Sequence, residues 1–213
     1  MLDVILDYKK GKGAFKDEYK SIMDNYWLNQ ILRKYKPEIA KLCGLEAAEI
    51  ALDKIKSIIN EDRSQFNYIW ISTIEDHPQK TFPDRYEIQL VDFVRDMYEL
   101  ANPSDLREEV KKLSNEDHSI FKRIAVHIIN YHYEDLKDLF WNWVDNPLGE
   151  LFLKHEIYEL LDKRCSSFSD KEIDKVLGWI DNKDFHWREE IKKERQKKER
   201  LEAHGKENGL QHC

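Results

Sequence analysis

The chain has 213 residues, with 42 Asp and Glu against 35 Lys and Arg, a formal net charge of −7, and a 41% hydrophobic share. That balance is too apolar for a disordered chain and too charged for a membrane protein. Seven Gly and five Pro are few for the many turns of a sheet protein. The charge is uneven: residues 188–213 hold eight Lys/Arg and six Asp/Glu, a balance of +2 that leaves −9 for the remainder. An acidic body argues against a broad phosphate-binding face.

The three cysteines, Cys43, Cys165 and Cys213, form no CxxC and no disulfide framework, which suits a reducing compartment and hence the cytoplasm. No apolar run approaches the ~18 residues of a membrane span, so no membrane partner is expected. The N-terminal MLDVILDYKKGKG lacks the charge and apolar regions of a signal peptide.

In chain order, residues 2–9 read as the last turns of a helix. Steps of three and four among Phe15, Tyr19, Ile22, Met23, Tyr26, Trp27, Leu28, Ile31, Leu32 and Tyr35 predict a helix over 15–35. Pro37 opens a short piece that Gly44 ends as a C′ residue. Ala47, Ala51, Ile55, Ile58 and Ile59 place an amphipathic helix at 45–61. Phe66, Ile69, Trp70 and Ile74 predict another over 64–75, stopping near His77 because Pro78 disfavours helix before it. Asp84, with Glu87 three residues on, is the expected cap of a helix running to Ala101. Ser104 is expected to cap 105–113 and Asp117 to cap 118–132. Helices follow at 134–145 and 148–164. Ser169 with Glu172 forms a capping box for 170–181, and 185–204 reads as a charged final helix.

These elements predict an all-α protein, more than two-thirds helical and without a sheet. Units of roughly thirty residues, 84–114, 117–145 and 148–181, predict antiparallel helix pairs stacked as a HEAT-like α-solenoid; a compact helical bundle is the alternative. The chain divides into an N-terminal helical region (1–83), helical-pair repeats (84–184) and a charged C-terminal helix and tail (185–213). Trp70, Leu90, Val94, Phe121, Ile124, Ile128 and Leu161 are the expected core, and the six tryptophans read mostly as core.

Candidate sites are sparse. Glu75, Asp76 and His77 set a histidine beside two carboxylates, which suits either a base with an orienting acid or a helix end that favours His. The helix-end reading is preferred, and the cluster stands as a possible interaction site. His127 and His132 are five apart and share no face. His155-Glu156-Ile157-Tyr158-Glu159 begins like a zinc-protease helix but has Glu159 where the second His belongs. Gly11-Lys12-Gly13 has neither the spacing nor the context of a phosphate loop. In 188–200, Lys192, Lys193, Arg195, Lys197, Lys198 and Arg200 are possible nucleic-acid contacts, against the plainer reading of a solvated helix with i,i+4 ion pairs. No catalytic set, metal set or cofactor is legible.

Three stretches taken together resemble a known family: YWLNQILRKYKPEIAKLCG (26–44), FNYIWISTIEDHPQ (66–79) with LVDFVRDMYE (90–99), and 118–181 from HSIFKRIAVHIINYH to DKVLGWID. In order and spacing they resemble a helical-repeat segment of very large bacterial ATP-binding proteins, some of them similar to STAND-type NTPases of antiviral (antiphage) defence. The resemblance covers about 26–200. It implies a non-enzymatic interaction scaffold that binds a partner protein or itself within a larger assembly. Nucleic-acid binding through the basic C-terminal helix is the alternative. The family's nucleotide-binding module has no counterpart here, and the ending GLQHC reads as that of a fragment.

Overall fold

A computed structural model describes residues 1–12, 17–66, 71–76, 84–143 and 146–181. Trp70, His77, Trp187 and the basic residues Lys192, Lys193, Arg195, Lys197, Lys198 and Arg200 lie outside the described residues. The chain is mostly helical: α1 (Leu2–Ile5), α2 (Asn25–Glu61), α3 (Tyr86–Leu100), α4 (Pro103–Ser114), α5 (Ser119–Tyr131), α6 (Tyr133–Trp141), α7 (Lys154–Arg164) and α8 (Asp170–Asp181). No described helix is long and apolar enough to cross a membrane.

The expectation of no sheet fails at the N-terminus. Strands β1 (Tyr8–Lys12) and β2 (Asp17–Ser21) pair antiparallel, with Lys10 opposite Tyr19. Tyr19 and Ser21 are buried while Glu18 and Lys20 are exposed, a period of two too short to outweigh the helical steps around it. The inner face rests on the end of α2. The Tyr8 hydroxyl meets Ser57 at 3.0 Å, and Lys10 and Tyr19 donate to Glu61 at 3.0 and 3.3 Å. Behind them the Tyr86 hydroxyl donates to the Leu6 carbonyl.

Helix α2 therefore starts at Asn25, not near 15. Asp24 accepts from the Tyr26 amide at 2.9 Å and caps it. Pro37 sits inside the helix, and the break comes at Gly44, whose positive φ of 50° is one that glycine adopts without strain. Several caps shift by a residue or two. Arg85, not Asp84, precedes α3 and pairs with Glu87. Asn102, not Ser104, caps α4, because Pro103 takes the first helical position, where its missing N–H costs nothing. His118, not Asp117, caps α5. Two 3₁₀ turns, Pro147–Gly149 and Leu151–Leu153, occupy the start of the segment expected to be helix 148–164. Before α8, the Ser169 amide donates to Glu172 at 2.7 Å, half of the anticipated capping box.

The helix expected over 64–75 is not formed as such. A 3₁₀ turn covers Arg63–Phe66, and 71–76 is non-helical. In 71–76 the Ile71 and Ile74 carbonyls and the Ile74 amide find buried side chains from three helices instead of helical partners.

Leu90, Val94, Phe121, Ile124 and Ile128 are buried as expected, and Leu161 is half-buried. Trp179 is buried and Trp141 and Trp143 are half-buried, but Trp27 is 60% exposed. Leu28 and Leu32 take the side of α2 that meets α3, and Trp27 lies on the other. Alternate helices meet: α3 packs on α5, α5 on α7, and α4 on α6, while α4 and α6 each also contact α5. Helix α2 runs along α3.

Candidate binding cleft

The segment 71–76 (ISTIED) is held from three helices. Arg123 on α5 donates to the Ile71 carbonyl at 2.6 Å, and Arg95 on α3 donates to the Ile74 carbonyl at 3.0 Å. Glu156 on α7 accepts from the Ile74 amide at 3.3 Å. Arg123 and Glu156 also bind each other through two hydrogen bonds, 3.0 and 2.8 Å. Arg95 is paired with Asp96 at 2.6 Å and Asp92 at 3.0 Å, and Lys36 of α2 reaches Asp96 at 2.5 Å. Buried charges persist only when paired and hydrogen-bonded, and here Arg95, Arg123 and Glu156 each also satisfy a backbone group. The result is a fixed, irregular segment whose last two residues, Glu75 and Asp76, emerge at the rim of a cleft.

The cleft, about 420 Å³, opens between α3, α5, α7 and this segment. Helix α3 contributes Glu99, and α5 contributes His127, Asn130 and Tyr131. Helix α7 lines it with the ridge His155, Glu159 and Lys163, spaced four residues apart on one face, together with Glu156 and Arg164. Five carboxylates line it (Glu75, Asp76, Glu99, Glu156 and Glu159), of which Glu156 is already bound to Arg123, with two basic side chains, Lys163 and Arg164.

Internal pairing organises these charges. His127 Nε2 lies 2.8 Å from Glu99, and Lys163 bridges Glu75 at 2.8 Å and Glu159 at 3.0 Å. Arg164 is bound to the Asn130 side chain and carbonyl. The hydrogen bond from Lys163 holds the Glu75 carboxyl below the usual carboxylate range, helped by the charges of Lys163, His127 and His155 against the opposing effect of burial. The same bond raises the Lys163 ammonium. With Lys163 shared by two carboxylates and Asp76 exposed at the rim, the cleft can hold a further cation. Among the described residues no group of three or more His, Cys, Asp or Glu could hold a metal ion. Asp76 also borders a second cleft between α2 and α3, beside Arg33 and Lys36.

Of the residues singled out from sequence, Glu75 and Asp76 are at this cleft; His77 and the basic C-terminal residues lie outside the described residues. Not anticipated was that His127 and His155, on separate helices, converge on it. His132 instead meets the Tyr98 carbonyl at 3.0 Å. The legible signal was polar residues four apart along one helix face: His127 with Tyr131, and His155 with Glu159 and Lys163. Comparison with protein-family models, curated proteins and solved structures finds no significant match.

Proposed function

We propose that the chain acts by binding, as a non-enzymatic helical scaffold whose cleft receives a cationic segment, one bearing Lys or Arg, of a protein partner. The observation that carries this is the clasped segment 71–76: buried Arg95, Arg123 and Glu156 hold Glu75 and Asp76 at the rim of a concave surface where carboxylates outnumber basic groups. A preorganised surface saves the ordering cost that a flexible one incurs on binding. The packing of α3 on α5 and α5 on α7 supports a stack of helix pairs in the manner of a HEAT-like α-solenoid, a fold that presents one layer of helices as its binding face. The resemblance to helical-repeat segments of STAND-like defence proteins extends the proposal to a place within a larger assembly.

The test is a calorimetric titration with hexa-arginine peptide at low and high salt. Wild-type protein binds, and Glu75→Gln with Asp76→Asn weakens binding at least about tenfold. Neutralising Glu108 and Asp135, exposed carboxylates outside the cleft, leaves it unchanged. Equal loss from both sets would mean diffuse attraction to an acidic protein and would overturn the reading.

A further inference from the structure

Helix α2 carries a second apolar face that the described residues leave exposed. Trp27, Ile31, Tyr35 and Leu42 recur at steps of four, four and seven, which places them on one side of the helix over about 22 Å. Trp27 is 60%, Tyr35 44% and Leu42 81% exposed, and Ile31 is half-buried. The bordering edge, with Leu28 and Leu32, is buried by packing against the rest of the chain. Large exposed apolar stripes of this kind mark interaction sites.

Between these apolar positions lie Lys34 and Glu38, both exposed, seven and eleven residues after Trp27 on the same face. Lys34 leans over the Tyr35 ring at 5.1 Å. Their placement sets the direction of any helix pairing with a second copy. In a parallel pair each residue meets its own counterpart, so Lys34 would face Lys34 and Glu38 would face Glu38. In an antiparallel pair Lys34 of each copy faces Glu38 of the other, and Ile31 falls near Leu42. A two-fold axis repeats each contact, so one stripe is self-complementary in apolar surface and in charge. The stripe, with Tyr26 at its edge, offers about 500 Å² from each copy, so a pair buries about 1,000 Å², the lower bound for a specific interface.

We propose that the protein self-associates through α2, two copies pairing antiparallel along the Trp27–Leu42 face with Lys34 of each against Glu38 of the other. This surface is separate from the cleft between α3, α5 and α7, and the inference does not rest on the function assigned to that cleft.

Sedimentation equilibrium on the full chain tests it. The expected species is a dimer of twice the 25.7 kDa chain mass. Leu42→Glu, at an exposed position where folding is unaffected, weakens it at least about tenfold. Far-UV circular dichroism checks that this variant keeps its helix content. Lys34→Glu alone and Glu38→Lys alone each weaken the dimer about three- to tenfold, and the two together restore it. Glu75→Gln with Asp76→Asn leaves it unchanged. A chain that stays monomeric at millimolar concentration overturns the proposal. So does a dimer indifferent to Leu42→Glu. A dimer indifferent to the single charge reversals overturns the antiparallel arrangement, since only there do they turn attraction into repulsion.

Discussion

Arg123 on α5 and Glu156 on α7 meet in a two-point ion pair, their side chains 1% and 3% exposed. Apolar residues of similar volume would join two helices about as well, since the cost of burying two charges offsets most of their attraction. What apolar residues cannot supply are the partners this pair gives the Ile71 carbonyl and the Ile74 amide. The pair thus serves the segment 71–76 more than the helices that carry it.

Removing one partner should be costly. Glu156→Ala leaves a buried guanidinium without its carboxylate and should destabilise by about 3–5 kcal/mol in urea melts. The double change Arg123→Met with Glu156→Leu should cost less overall, yet should still strip the Ile74 amide of its hydrogen-exchange protection. An Ile74 amide as protected as in the wild type would show that the segment holds itself.

The Phe121 ring is 2% exposed in the core, with the Lys56 ammonium 5.7 Å from its centroid. Phe121→Ala should cost roughly 3–5 kcal/mol, the range for a buried aromatic. A loss under about 1 kcal/mol would mean that the site collapses around the missing ring far better than cores usually do.

His118 gives stability a dependence on pH. Its Nδ1 accepts from the Ile120 amide at 3.3 Å and caps α5, while Nε2 lies 3.1 Å from the Arg63 carbonyl. That pattern needs the neutral ring with its proton on Nε2. Burial pushes the ring below the ordinary histidine value of 6.5, against the opposing hydrogen bond to Arg63. Because the folded ring titrates below the unfolded one, its contribution is complete above 6.5 and is lost as pH falls through the folded value. His118→Asn, which can still cap, should flatten that decline. An NMR titration placing His118 at or above 6.5 would refute the assignment.

The helical character was legible because α3, α5 and the second half of α2 carry long apolar stripes, and the buried positions of Leu90, Val94, Ile124 and Ile128 follow directly from their spacing. What escaped were the places where side chains from distant parts of the chain replace local bonding. Ile71 and Ile74 continue a helical period, yet Arg95, Arg123 and Glu156, up to 82 residues away in the chain, satisfy that backbone in another shape. The hairpin was hidden for the same reason: Tyr8 and Tyr19 look helical in spacing, and only the Ser57 and Glu61 contacts show what they rest on. Glu75 and Asp76 were visible as a polar pair. Their company with His127 and His155 depends on α5 packing on α7, which no local spacing encodes.

If the chain acts by binding, the purified protein should hydrolyse neither ATP nor DNA nor RNA, with or without added divalent metal. Turnover that disappears in His127→Ala or Asp76→Asn would contradict a non-enzymatic role, because the His127–Glu99 pair, 2.8 Å apart, is the arrangement at this cleft most suited to moving a proton.

The most direct test of a binding cleft is an NMR titration of labelled protein with hexa-arginine peptide at moderate salt. Saturable shifts confined to Thr73, Glu75, Asp76, Glu99, the His127 and His155 rings and Glu159, and lost in Glu75→Gln with Asp76→Asn, are the expected result. Shifts scattered over exposed carboxylates such as Glu108 and Asp135, with the cleft histidines unmoved, would contradict it.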